Sequence, residues 1–135
     1  MEKRVLEEFF NKVLNSRLEK TKFILGVKAK EYVRNGDRLH NFNVAATTNK
    51  ESREKALWGM ATKHLVSVMD MINDTEEGKM PSDELVDEKI GDLINYLILL
   101  EVSFKSHDKE LVSVNSPNFI AGYEKWLLAH KVYEK

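Results

Sequence analysis

Apolar positions recur at helical spacing through most of the chain. From about Glu2 to Arg17, Leu6, Phe9, Phe10, Val13 and Leu14 fall on one face and predict a first helix. A second is expected from about Lys20 to Arg34, with a looser stripe of Phe23, Ile24, Val27 and Val33 and a left-handed stop at Asn35-Gly36. The third, about Lys50 to Asn73, has a capping box in Thr48 and Glu51 and a stop at Gly78. The fourth begins after Ser82, with Asp83 and Glu84 facing the positive dipole end, and continues to about Lys105. A last helix follows Ser116-Pro117 and carries Phe119, Ile120, Tyr123, Trp126 and Leu127 on one side. Pro81 and Pro117 both precede helix-period segments, where a first-turn proline is tolerated.

Two stretches read as loops. His107 to Asn115 contains Leu111-Val112-Ser113-Val114, but nothing else in the chain offers that segment a strand partner. Asn35 to Asn49 is long for a connection in a helical domain, and long ordered loops tend to carry function. There is no internal repeat and no low-complexity tract. The expected architecture is therefore all-α, a single domain over residues 1–135 with four main helices in a bundle and a C-terminal helix.

Composition agrees with one ordinary core. A chain of 135 residues, 42% hydrophobic and 32% charged, buries about two-thirds of its unfolded surface without needing staples. It has no cysteine, which excludes disulfides, thiolate metal sites and a cysteine nucleophile. With 21 basic and 22 acidic residues it lacks the cationic excess that double-stranded nucleic acid demands, while small anionic ligands stay open. The strongest apolar run, Leu93 to Leu100, is interrupted by Asn95 and falls far short of the about 20 residues that span a bilayer. Met1-Glu2-Lys3-Arg4 is followed by acids and not by a signal core, so no membrane partner and a cytoplasmic location are expected.

The most informative chemistry lies in the fourth helix. From Leu93 it is apolar nearly all round, the mark of a central helix, yet Glu88, Asp92 and Asn95 form one polar stripe at steps of four and three. A carboxylate facing a core costs several kcal/mol unless its charge is compensated. Two carboxylates one turn apart suit Mg²⁺, which takes few protein oxygens and keeps waters for a phosphate. A solvated Glu88, and an Asp92 paired with Lys63 or an arginine, would explain the same stripe. The pairs Glu51/Glu54 and Glu84/Asp87 also have acidic-motif spacing, but acids are favoured in first turns by the helix dipole alone.

In the third helix Lys63, Ser67 and Asp70 share a face, with His64 beside it. Lys63 is a candidate phosphate contact and His64 a candidate proton carrier, against a solvated lysine and a core histidine. The Asn35–Asn49 stretch gathers Asp37, Arg38, His40, Asn41 and Phe42, a mixture of cation, amide and aromatic able to recognise a nucleotide or simply to order a loop. No Ser-His-Asp arrangement, glycine-rich phosphate loop or zinc helix is present.

Three groups of residues carry a family likeness. Lys30-Glu31-Tyr32 with Asp37-Arg38 and Asn41-Phe42, Ala56-Leu57-Trp58-Gly59-Met60 with Lys63-His64-Leu65, and Glu88-Lys89-Ile90-Gly91-Asp92-Leu93-Ile94-Asn95-Tyr96 resemble the phage and bacterial nucleotide modification associated domain, type 1, over roughly residues 20–105. More distantly, Glu88-Lys89-Ile90-Gly91-Asp92 is similar to the E-E-x-G-D motif of the all-α MazG and dimeric dUTPase pyrophosphohydrolases, whose carboxylates bind Mg²⁺ and activate water. Lys89 stands where that motif has a second glutamate, and the second helix offers only Glu31 for the usual acidic pair.

The helical bundle itself is expected to form a homo-oligomer. The resemblance implies a nucleotide ligand. In its catalytic form it implies a Mg²⁺-dependent nucleoside triphosphate pyrophosphohydrolase of phage nucleotide metabolism. Glu31, Glu88 and Asp92 would then hold the metal, Arg38 and Lys63 neutralise phosphate, His64 relay protons, and Asn41 and Asn95 read base or sugar. The alternative is a non-catalytic phage protein that sequesters a modified or signalling nucleotide.

Overall fold

A computed structural model describes residues 2–28 and 36–109. The fold is all-α, with four helices and no β-strand among the described residues. The helices are α1 (Lys3–Lys22), α2 (His40–Asn49), α3 (Arg53–Glu76) and α4 (Asp83–Lys105). A π-helical turn, Phe23–Val27, continues directly from α1. The chain divides into two units, Met1–Leu100 and Glu101–Lys135. The expected C-terminal helix and Glu31 lie outside the described residues.

Three sequence expectations are corrected. The first two helices do not separate near Leu18: no glycine or proline interrupts the chain there, and the backbone stays helical from Lys3 through the π-helical turn. The Asn35–Asn49 segment is not all loop, because His40–Asn49 forms α2. Thr48 does not cap the next helix; it lies within α2, and Ser52 takes that role, its hydroxyl accepting from the Lys55 amide at 3.1 Å.

The helix ends explain the turns between elements. At the end of α2 the amide of Glu51 donates to the Ala46 carbonyl at 2.9 Å and that of Lys50 to Thr47 at 3.3 Å. This places Lys50, a residue with a Cβ, in the left-handed region at φ 54°. At the end of α3 the same pair of bonds forms, Lys79 to Asp74 at 2.9 Å and Gly78 to Thr75 at 3.0 Å, here with glycine at φ 83°. The expected cap of α4 is present: Ser82 Oγ accepts from the Leu85 amide at 3.1 Å, with Asp83 and Glu84 in the first turn.

Among the described residues of the first unit the buried apolar side chains gather mainly near the start of α3 and in and before α2, with Met71 farther along α3. Leu39, Ala46, Ala56, Leu57, Ala61 and Met71 are buried, and Leu57 is entirely so. Burying that one leucine contributes about 2 kcal/mol. A polar chain secures the junction of α2 and α3. Asp37 accepts from the Leu39 amide at 2.9 Å and from Asn43 Nδ2 at 3.2 Å, and Asn43 Oδ1 in turn accepts from the buried Arg53 at 3.3 Å. By contrast α1 buries no residue. In the second unit the described residues are 101–109, where Lys105 donates to Glu101 and the Ser106 hydroxyl to the Ser103 carbonyl.

Candidate functional site

Helix α4 presents two chemically different faces within the first unit. On one, Asp87 receives Arg17 Nη2 at 2.9 Å and Lys20 Nζ at 2.8 Å from α1. Gly91 makes this approach feasible: a Cβ there would lie 2.6 Å from Arg17 Nη1. The Lys20 ammonium hydrogen-bonded to Asp87, reinforced by its charge and that of Arg17, holds this carboxyl below the ordinary range against a smaller opposing effect of burial. The seam is open to solvent, with the Asp87 side chain 47% exposed.

The other face carries Asp92, Asn95 and Tyr96, which helical spacing sets on one side. Opposite them stands His64 of α3. Its ring stacks on Tyr96 with centroids 5.0 Å apart and planes 23° from parallel, and its Nδ1 lies 3.6 Å from Asp92 Oδ2. That separation is an ion-pair distance when the imidazole carries a proton and too long for a hydrogen bond. From α2, Phe42 meets Tyr96 edge-on at 6.3 Å and 75°. Both ring geometries fall within the favourable range for aromatic pairs. The Asp37–Asn43–Arg53 chain, by fixing the start of α2, also fixes where Phe42 stands.

Beside this stack Asn95 is 93% withdrawn from solvent, at 7% exposure, and its Oδ1 has no hydrogen-bond partner among the described residues. A buried carbonyl oxygen left unpaired costs about 1–3 kcal/mol, and such atoms are rare unless something else fills them. A ligand N–H is the group that would satisfy it.

Of the residues singled out by sequence, the structure brings together His64, Asp92 and Asn95. Tyr96 and Phe42 join them; Tyr96 could have been found as the next member of the Asp92–Asn95 face. The remaining candidates stand elsewhere or are otherwise engaged. Arg38 donates to the carbonyl oxygens of Leu25 and Gly26, so its guanidinium caps the π-helical turn. Lys63 and Asn41 are exposed. Glu88 is exposed too, with Lys89 Nζ 3.5 Å from its carboxylate. Asp87, expected from sequence to be a first-turn acid, is instead bound by Arg17 and Lys20 of α1, partners that no local spacing signals.

Among the described residues no three His, Asp or Glu side chains gather closely enough to hold a metal. Glu88 and Asp92 would be the two carboxylates available to Mg²⁺, but Lys89 and His64 already face those oxygens, so these two alone make a poor fit. No helix among the described residues is long and apolar enough to cross a membrane. No family model, curated protein or solved structure matches the chain.

Proposed function

We propose that this chain binds a nucleotide, and that the base or sugar is read by Asn95 beside the Tyr96–His64 stack. The single observation behind this reading is the buried Oδ1 of Asn95, which has no hydrogen-bond partner among the described residues. An exocyclic amine or ring N–H of a base supplies the missing donor, and the neighbouring aromatic rings suit a flat heterocycle. Asp92 adds a second acceptor on the same face, half-exposed and within reach of a sugar hydroxyl or a ring N–H. The likeness of the three segments above to a nucleotide-modification domain points to the same ligand class.

The test is calorimetry of the full chain against nucleosides and nucleoside mono- and triphosphates. Saturable binding is expected, weakened at least about tenfold by Asn95→Leu, which keeps the side-chain branching but removes the acceptor. Heat-silent titrations with every base, together with an unchanged melting temperature, would end this reading.

A second reading, hydrolysis, is favoured by one contact. An imidazole and a carboxylate can share proton transfer once they close to hydrogen-bonding range, and His64 lies 3.6 Å from Asp92. In that reading the protein is a Mg²⁺-dependent pyrophosphohydrolase of phage nucleotide metabolism, with Glu31 needed to complete the acids at 88 and 92. Incubation with a panel of nucleoside triphosphates and Mg²⁺ decides between them: diphosphate release establishes catalysis, whereas tight binding retained in chelator without release establishes sequestration of a modified or signalling nucleotide.

A further inference from the structure

Helix α1 leaves its apolar face in solvent. Val5, Leu6, Phe9, Phe10, Val13 and Leu14 are between 43% and 61% exposed, and Leu18 extends the stripe at 51%. Together they present on the order of 700 Å² of apolar surface, above what soluble monomers usually leave open and close to the ~800 Å² per partner of a standard interface. A 20-residue helix with no buried side chain also lacks the packing that ordinarily stabilises helices in water.

We propose that this face docks a second copy of the chain, with the two α1 helices antiparallel and crossing near Phe9. The charge pattern selects this occupant. Glu8 and Lys12, one turn apart and both exposed, border the stripe formed by Val5, Phe9 and Val13. In an antiparallel pair about Phe9, Val5 meets the other copy's Val13 and Glu8 comes alongside the other copy's Lys12, each contact occurring twice by symmetry. Within one copy Glu8 also lies 3.8 Å from Arg4, an exposed pair one turn back that solvent screens and that leaves the carboxylate able to turn to a nearby cation. A lipid surface would be served by a uniformly cationic border, whereas Glu7 and Glu8 here alternate with Lys3, Arg4 and Lys12.

The experiment is sedimentation equilibrium of the full chain over a concentration series, alongside circular dichroism. A reversible dimer is expected, with Phe9→Asp raising its dissociation constant about a hundredfold or more while helix content holds. Glu8→Lys and Lys12→Glu should each weaken the dimer several-fold, and the double variant should restore it. Should Phe9→Asp lose helicity, the charge-exchange series alone decides, since both positions are solvent-exposed. A wild type that stays monomeric, a dimer indifferent to Phe9→Asp in a folded variant, or a double exchange that fails to rescue would each overturn the proposal. Binding of a monomeric wild type to anionic lipid vesicles would assign the face to a membrane surface instead.

Discussion

Two aspartates five residues apart on α4 have nearly the same exposure and opposite surroundings. Asp87, 47% exposed, is held by two permanent cations at 2.9 and 2.8 Å; Asp92, 39% exposed, faces one titratable ring at 3.6 Å. Solvent access therefore does not separate them, and compensation does. The first carboxylate has its charge matched by its own fold and ties α1 to α4. The second is left undermatched beside a buried amide oxygen that has no partner among the described residues. Where the fold satisfies its polar groups a ligand gains little, and where it does not, a ligand with N–H donors gains most.

Substitutions on the two faces should therefore behave differently. Tyr96→Ala removes the ring shared by His64 and Phe42 and is expected to cost about 2 kcal/mol in urea denaturation; a loss no larger than that of an exposed ion pair would undo the distinction. Asn95→Leu should move the other way, raising unfolding free energy by about 1 kcal/mol while binding is lost, because the unpaired oxygen is gone. A destabilised Asn95→Leu would mean that this oxygen is satisfied within the fold.

Asp87→Asn is expected to cost under about 1 kcal/mol at neutral pH, given how exposed the pair is. Its pH dependence is more telling than its size. The folded-state carboxyl titrates below its ordinary 3.8, so its contribution is present above the unfolded value and fades as pH falls through the lower folded value. The stability gap between wild type and Asp87→Asn should thus close in acid; a gap constant with pH would show that the cations are not its source. Smallest of all, Gly91→Ala displaces the Arg17 guanidinium but gains helix propensity, so the net change should stay within about 0.5 kcal/mol. What it should reduce is the salt sensitivity of the α1–α4 seam, since Lys20 keeps its hold on Asp87.

The stop at Gly78 and the cap at Ser82 translated directly from sequence into structure, whereas the Thr48 cap and the long-range pairings did not. Ser82 and Gly78 act on atoms within a few residues, so their roles as cap and stop could be read directly. Helix α2 escaped notice because His40-Asn-Phe-Asn-Val-Ala-Ala-Thr-Thr-Asn49 is rich in residues that compete with the helical backbone. It is helical because the buried Leu39 and Ala46, and the Asp37–Asn43–Arg53 chain, hold it against α3. The polar stripe of α4 pointed correctly to Asp92 and Asn95. Nothing in a stripe reveals that His64 lies across from it, or that Arg17 and Lys20, some 70 residues away, reach Asp87.

The π-helical turn at Phe23–Val27 has a consequence of its own. Such a turn is an α-helix carrying one supernumerary residue, and it widens the ring that each carbonyl closes. Removing a single residue between positions 23 and 27 would let the segment relax into ordinary winding, turning everything beyond it by about a quarter of a circle. Leu25 and Gly26 would then aim their oxygens elsewhere, and the guanidinium of Arg38 would lose its hold on them. Chain length at this one place, more than the identity of any side chain, sets where these two carbonyl oxygens meet Arg38.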